Sequence, residues 1–333
     1  MTDLPRPPMQ PQLAGSRKSV PEGDGWAYEP KYDGFRALVF AGPDETYVQS
    51  RGGKPLARYF PELDFPPGDY VIDGELVILD EDGAEVFDAL QNRIHPAESR
   101  ILRLSEETPA LFRVFDVLAR DGENLMEKPF SERRATLVEL VKGFEGAVEE
   151  GPGGWTAGSV ELTPLTLDAE AVGPWMENGE GVIAKELSAT YQPGKRKNMV
   201  KVKRLRTIDA VVAGWRPGKE ANTVGSLMLG LYDNRPEGDG ELRVVGHTSG
   251  LKAAQKRELV ETLAPYETGD RGSADPSRWA ADRDLEWVSL RPELVIEVTF
   301  DHVSAGRIRH GAKILRWRDD KDPKECTVDQ LDQ

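Results

Sequence analysis

Lys31-Tyr32-Asp33-Gly34-Phe35-Arg36 sets an amine beside a tight-turn signal and a guanidinium, a grouping suited to attack on a phosphate by nitrogen. A free lysine is a protonated ammonium and no nucleophile, so such chemistry needs burial or neighbouring cations that leave a lone pair on the nitrogen. Arg36 is one such cation. Asp33-Gly34 is equally a hairpin signal, and taken alone the stretch also reads as a β-hairpin with a surface lysine at its shoulder. No phosphate-binding loop accompanies it: Gly214 to Lys219 is one residue short of that pattern and lacks the hydroxyl. His95, His247, His302 and His310 are scattered without metal-ligand spacing, which argues against zinc. A phosphate-handling site must then be built from Lys, Arg and carboxylates, with Mg²⁺ held by oxygen ligands.

Four further fragments follow at wide spacing: Asp73-Gly74-Glu75, Phe115-Asp116, Glu180-Gly181-Val182-Ile183-Ala184-Lys185 and Lys201-Val202-Lys203. With this order of motifs the chain resembles the ATP-dependent DNA ligases, part of the lysine nucleotidyltransferase superfamily that also contains RNA ligases and mRNA capping enzymes. The resemblance extends from about Trp26 to Thr327 and is to the small two-domain bacterial ligases associated with end joining and base-excision repair. It implies that Lys31 attacks the α-phosphate of ATP, expels pyrophosphate and holds AMP as a phosphoramidate. The AMP then passes to the 5′-phosphate of a nick in double-stranded DNA, and the 3′-hydroxyl displaces it.

The resemblance also distributes roles. Lys201 and Lys203, two apart and so on one face of a strand, are expected to clamp the α-phosphate. Glu75 and Glu180 are the expected ligands of Mg²⁺, or Mn²⁺, and of the ribose; Phe115 offers an aromatic face to adenine, and Glu29 accepts from the adenine amino group. Arg36 and Arg51 are expected at the ribose, the AMP phosphate or the nick 5′-phosphate. Arg316-Trp317-Arg318-Asp319-Asp320-Lys321 resembles the last ligase motif, with Arg318, Asp320 and Lys321 as its core. In the family this segment orients the β- and γ-phosphates of ATP during self-adenylation and then rotates away. An RNA ligase or capping-type enzyme is the alternative within the superfamily, but Glu29 suits adenine better than guanine. A non-catalytic nucleic-acid-binding protein is the alternative outside it, and would not need Lys31, Glu75, Glu180 and Lys203 together.

Composition agrees in part. A chain of 333 residues accommodates about two domains, and Cys326 as the only cysteine leaves no disulfide framework. Met1 to Val20 is rich in proline and polar residues without the apolar run of a signal peptide, and no stretch approaches the ~18 apolar residues of a membrane span. The expectation is a soluble, cytoplasmic, nucleoid-associated monomer that acts on nicked DNA, alone or with repair or end-joining partners. A formal charge of −15 opposes a nucleic-acid partner, because phosphate contacts come from Lys and Arg. Distribution answers the objection: seven cations and no acid fall between Lys195 and Arg206, and Arg307, Arg309, Lys313, Arg316 and Arg318 form a second basic run. Arg51, Arg196, Lys197 and Arg204 are the candidate DNA contacts, Arg196 and Lys197 falling outside the inferred nucleotide clamp. The chain shows no counterpart of the additional N-terminal DNA-binding domain of larger ligases, from which modest DNA affinity is expected.

The element pattern is α+β. Trp26 to Glu29 and Phe35 to Phe40 read as strands paired around the turn, Tyr47 to Arg51 as a third, and Tyr70 to Ile78 and Leu111 to Leu118 as apolar strands. A helix is expected from Phe130 to Lys142 with Ser131 as N-cap, a loop at Gly151 to Gly154, a short helix around Asp168 to Asn178 that is kinked or starts late at Gly173-Pro174, and a strand from Val182 to Glu186. From Ile208 onwards five short strands and one helix, Ala253 to Leu263, fit a five-stranded OB barrel. The expected organisation is an ATP-grasp-like nucleotidyltransferase domain of antiparallel sheets with flanking helices over 1–206, followed by an OB-fold β-barrel over 207–333.

Overall fold

Lys31 sits where the chain leaves one sheet for another. In the computed structural model, which describes residues 4–149, 154–272, 286–304 and 306–332, strands β1 (Gly15–Arg17) and β2 (Trp26–Pro30) precede it, and β3 (Phe35–Ala41), β4 (Thr46–Ser50) and β5 (Tyr70–Val77) follow. Helices α1 (Phe87–Arg93) and α2 (Glu98–Glu107) lead to β6 (Leu111–Arg120) and the short β7 (Glu123–Asn124). Helix α3 (Phe130–Lys142) is followed by β8 (Val148–Glu149), β9 (Trp155–Ala157) and β10 (Val160–Leu162). After α4 (Gly173–Asn178), strands β11 (Gly181–Glu186) and β12 (Met199–Lys203) complete a compact unit that ends at Arg204.

Two sheets form in this unit, one ordered β1-β12-β11-β2 and the other β4-β3-β5-β6-β10-β9-β8 with β7 on β6. Pairing is antiparallel except for β1 with β12 and β6 with β10. The expected β2–β3 hairpin therefore does not exist: β2 pairs with β11, and β3 with β4 and β5. Asp33-Gly34 is a crossover, and its glycine is demanded by close approach, since a Cβ at Gly34 would lie 2.1 Å from the Leu76 carbonyl oxygen. The core beneath the larger sheet is built from fully buried side chains such as Ile72, Leu76, Phe112 and Val114, with Leu137 and Val141 from α3 against them.

Helix α3 has the expected span, but its N-cap is Pro129 and Ser131 is exposed in the first turn. Its leading N–H groups need no side-chain cap, because Phe130 and Ser131 donate to the carbonyls of Ala189 and Leu187 at 2.9 and 3.0 Å. The expected helix around Gly173-Pro174 is a 3₁₀ turn, Glu170–Val172, that passes into α4 with proline in its first turn. Residues 151–153 of the expected Gly151 to Gly154 loop lie outside the described residues.

The second unit, Leu205–Gln333, contains β13 (Arg206–Pro217), β14 (Val224–Tyr232), β15 (Leu242–His247), α5 (Ala253–Leu263), β16 (Glu267–Gly272) and β17 (Trp287–Leu290). It continues through β18 (Val295–Phe300), β19 (Val303–Ser304), β20 (Arg307–Ile308) and β21 (Lys313–Trp317). Its main sheet runs β15-β14-β13-β17-β16, with β18 between β13 and β21. Long β13 pairs through its first half with β18 and further on with β17. The five expected strands and the helix are present, and β16, β17, β19 and β20 are additional. Glu-Thr-Gly-Asp-Arg-Gly in β16 has no apolar alternation to announce a strand. This antiparallel architecture with one helix is consistent with an OB fold, although the pairing among the described residues does not close a barrel. No helix among the described residues is long and apolar enough to cross a membrane.

Candidate active site

Strand register assembles the site. Glu29, Ile183 and Lys201 are partners across β2, β11 and β12, and alternation along each strand puts Lys185 and Lys203 on the same face. From the larger sheet come Arg36 and Glu75, partners across β3 and β5, and Phe115 from β6. These side chains, with Lys31, Asp33, Arg51 and Arg196, line a cavity of about 270 Å³. Seven cations against three carboxylates line this space, a balance suited to a polyphosphate. The Lys201 ammonium is held below the usual lysine range, first by burial and then by Lys203 and Lys31, a strain that a bound anion would relieve.

Lys31 is fixed through its backbone. Its N–H donates to the Gly181 carbonyl at 2.9 Å and its Nζ to the Tyr32 carbonyl at 3.2 Å, while the Asp33 N–H donates to Glu85 Oε2 at 2.7 Å. Arg113 in turn pairs with Glu85 and Glu161 at 3.1 and 3.0 Å and lies 4.7 Å over the Tyr32 ring. This clamp around the lysine was not expected from the sequence. Its one legible sign is Arg113 between Phe112 and Val114, a cation in an apolar strand that must have partners.

Glu29 is only 2% exposed, and its Oε2 accepts from Lys185 Nζ at 2.7 Å. Lys185 Nζ also donates to the Phe115 carbonyl at 3.1 Å. Glu29 Oε1 is buried without a hydrogen-bond donor, the nearest cation being Arg134 Nη1 at 3.6 Å. A residue of the cavity wall thus carries one acceptor without a donor. Phe115 was expected as an open platform, but it is 8% exposed, with the Arg36 guanidinium carbon 4.4 Å and Lys185 Nζ 4.6 Å from its ring centre.

Arg36 binds Asp73 through Nε and Nη2 at 2.5 and 2.6 Å, leaving Nη1 without a hydrogen bond among the described residues. Asp73 is fully buried and also accepts from the Tyr191 hydroxyl at 2.6 Å. Two residues on, Glu75 receives no hydrogen bond among the described residues. Burial pushes its carboxyl up to about 7, although Arg36 and Lys31 pull the other way.

Some expected partners are not brought together. Glu180 does not line the cavity. It stands just before Gly181, whose φ of +123° and contact with the Val202 carbonyl turn the chain at this point, and its carbonyl accepts from Arg204 N–H at 3.2 Å. Lys197 and Arg204 also lie off the cavity, whereas Arg196 lines it, which corrects the expectation that Arg196 falls outside the nucleotide clamp. Arg318 and Lys321 belong to the second unit. There Arg318 grips Asp209 with two 2.8 Å bonds and Asp320 at 2.9 and 3.0 Å, while Lys321 pairs with Glu325 at 2.7 Å. The hydrogen bond from Arg318 holds the Asp320 carboxyl down at about 2.

Comparison with known proteins identifies the family. The model of the ATP dependent DNA ligase domain matches residues 11–203, and that of the ATP dependent DNA ligase C terminal region matches residues 220–321. The chain is 42% identical to DNA ligase C1 of Mycolicibacterium smegmatis, covering 99% of this chain and 96% of that protein. It is 32% identical to the multifunctional non-homologous end joining DNA repair protein LigD of Mycobacterium tuberculosis, over 90% of this chain and 37% of that protein. Among solved structures, the ligase domain of M. tuberculosis LigD superposes with a TM-score of 0.51 at 30% identity, covering 96% of this chain and 98% of that one. A mycobacterial DNA ligase D complexed with ATP and MES matches equally. On this evidence of sequence, fold and site, the chain belongs to the ATP-dependent DNA ligase family.

Proposed function

We propose that this ATP-dependent DNA ligase works through Lys31, on the single observation that carries the assignment: Lys31 lines a cavity whose other cations, Lys185, Lys201, Lys203, Arg36, Arg51 and Arg196, surround it with positive charge. The Lys31 nitrogen bonds to the α-phosphorus of ATP as the bond to the bridging oxygen breaks and pyrophosphate leaves. A nick 5′-phosphate oxygen then attacks the same phosphorus and frees the lysine. In the last step the 3′-hydroxyl attacks the activated 5′-phosphate and AMP departs. Lys201, Lys203 and the free Nη1 of Arg36 offset the charge that develops on phosphate oxygens, where positioning and electrostatics supply most of the catalysis. Glu29 Oε1 accepts a hydrogen bond from the adenine amino group; guanine presents a carbonyl oxygen there, and two acceptors would face each other.

The residues fit a divalent cation only in company. No group of three or more His, Cys, Asp or Glu side chains among the described residues could hold a metal alone. Glu75 is a half-buried carboxylate without a donor among the described residues, the kind of ligand that Mg²⁺ takes together with substrate phosphates. When bound there, the ion would screen phosphate charge. Mn²⁺ would serve the same ligand set, and Glu180 does not join it in this structure.

Nicked duplex DNA is the proposed substrate, and DNA repair, including end joining, the proposed setting, a reading supported by the name of the LigD relative. The proposed working form is a monomer. Sealing of a 5′-phosphorylated nick with ATP and Mg²⁺ tests the function, and absence of sealing overturns it. For Arg318 and Lys321 we keep the role that the family resemblance implies, orientation of the leaving pyrophosphate. Arg318→Ala and Lys321→Ala are expected to slow self-adenylation about 100-fold, the usual scale for one electrostatic group, while sealing of a pre-adenylated nick stays within a few-fold of wild type. Equal loss in both assays refutes that role.

Lys197 separates DNA binding from nucleotide chemistry, since it lies off the cavity. Lys197→Glu is expected to weaken nick binding and to reduce the slope of log affinity against log salt by about 1, with self-adenylation unchanged. Arg196→Glu is expected to impair both, because Arg196 lines the cavity. Salt-insensitive binding would return the Lys195 to Arg206 run to an ordinary solvated face.

A further inference from the structure

The basic loop from Gln192 to Asn198 is not a free surface run. Gln12, only 5% exposed, holds it with both ends of its side-chain amide: Nε2 donates to the Lys197 carbonyl at 2.6 Å, and Oε1 accepts from the Gln192 N–H at 3.0 Å. Backbone bonds on either side reinforce the grip, Gly194 N–H to the Pro11 carbonyl at 3.2 Å and Leu13 N–H to the Lys195 carbonyl at 2.9 Å. The main chain of Gln12 faces the other sheet's machinery. Its N–H donates to the Tyr191 hydroxyl at 2.9 Å, and its carbonyl accepts from Arg36 Nη2 at 3.4 Å. On one side, the Met9 backbone exchanges two hydrogen bonds with the Gln49 side chain of β4. On the other, β1 pairs in parallel with β12, the strand of Lys201 and Lys203. The segment from Met9 to Arg17 is therefore a strap between the two sheets, and its Leu13 and Ala14 form part of the cavity wall.

We infer that Gln12 is a positioning residue for the ligase reaction: its amide fixes the basic loop so that Arg196 is presented at the cavity wall, where it receives the nick 5′-phosphate beside the lysine-bound AMP. This rests on the assignment of Arg196 to substrate phosphate. An arginine on a loose loop loses side-chain and backbone freedom each time it engages an anion, and a loop already held by four hydrogen bonds has met that cost on folding. A buried amide that satisfies one donor and one acceptor of the same loop also sets its register, because sliding the loop by one residue leaves both groups unpaired.

The test is a double-mutant cycle on full-length protein. Gln12→Met keeps an unbranched side chain of similar length and the backbone bonds to Tyr191 and Arg36, and removes only the two side-chain bonds to the loop. It is expected to raise KM for a pre-adenylated nick about tenfold, the effect of losing one or two such bonds, while kcat at saturating nick falls less than twofold. Arg196→Ala is expected to raise the same KM at least as much. The decisive reading is the pair: Gln12→Met/Arg196→Ala should be no worse than Arg196→Ala, because Gln12 acts through Arg196. Additive KM effects, or a fall in kcat with KM unchanged, overturn the inference and leave Gln12 a structural amide. An Arg196→Ala protein with wild-type nick KM overturns instead the assignment of Arg196 to DNA. Gln12→Glu serves as second variant, since it keeps the acceptor for Gln192 N–H but sets a carboxylate against the Lys197 carbonyl; it should raise KM at least as far as Gln12→Met.

Discussion

Incubation with α-labelled ATP and Mg²⁺ is expected to attach one label covalently to the wild-type chain and none, above background, to Lys31→Ala. Three other lysines line the cavity, and none is placed as Lys31 is. Lys185 Nζ is held between Glu29 Oε2 and the Phe115 carbonyl, and attack by it would require breaking that buried ion pair. Lys201 and Lys203 project from one strand face as a pair, placed to hold phosphate oxygens from the side. Lys31 alone stands at the crossover between the sheets, where its N–H donates to the Gly181 carbonyl and its Nζ to the Tyr32 carbonyl, while Glu85 holds the Asp33 N–H two residues on. Lys31→Arg should fail as completely, because a guanidinium stays protonated and cannot attack. Labelling of Lys31→Ala would move the nucleophile to another amine, and labelling by GTP in place of ATP would contradict the role given to Glu29 Oε1.

How much of this could be read beforehand follows from the range over which each determinant acts. Lys31 and Arg36 announce themselves because an amine beside a turn and a guanidinium suits attack on a phosphate, whereas Lys201, Lys203, Glu29 and Glu75 take their roles from the family resemblance, strand alternation then carrying Lys201 and Lys203 to one face. The longer strands of the first unit were legible as apolar runs such as Tyr70 to Val77, whereas the short β1, β7, β8, β9 and β10 hold too few residues to show an alternation. Partnership between strands was not. Asp33-Gly34 has the local signature of a hairpin, yet the chain crosses to another sheet there, a choice made by contact between Gly34 and the backbone of Leu76, more than forty positions away in sequence. The supporting residues share this property. Arg113, Glu85 and Glu161 become a clamp only when three separate segments meet, and Gln12 gains its meaning from Gln192 and Lys197. Arg196 shows the same limit from the other side: its charge marked it as a phosphate ligand, while its place at the nucleotide cavity depended on how the Gln12 strap holds its loop.

The second large effect concerns Glu75, whose carboxyl is pushed up to about 7 by burial, Asp73 and Glu85 adding to the rise while Arg36 and Lys31 oppose it. If the ionised form is the one that shares a divalent cation with ATP, self-adenylation at limiting Mg²⁺ should rise between pH 6 and pH 8 with a midpoint near 7. That midpoint should move to lower pH as Mg²⁺ is increased, since a ligand that prefers the carboxylate draws the proton off. Glu75→Gln is expected to lose about 100-fold in rate, the scale of one electrostatic group at a transferring phosphate, and to flatten this limb. Stability should change in the opposite sense. A carboxyl raised in the folded state contributes stability that is fully present below its unfolded value and is lost as pH rises through the folded one. The unliganded wild type therefore carries an ionised, poorly solvated Glu75 at pH 8, and Glu75→Gln should be more stable than wild type there, by at most about 3 kcal/mol for a change of this size, with little difference at pH 5. Denaturant titrations at the two pH values, without ATP or metal, decide the point. A Glu75→Gln protein equally destabilised at both would show that Glu75 is a satisfied structural carboxylate and not a cation ligand held ready by the fold.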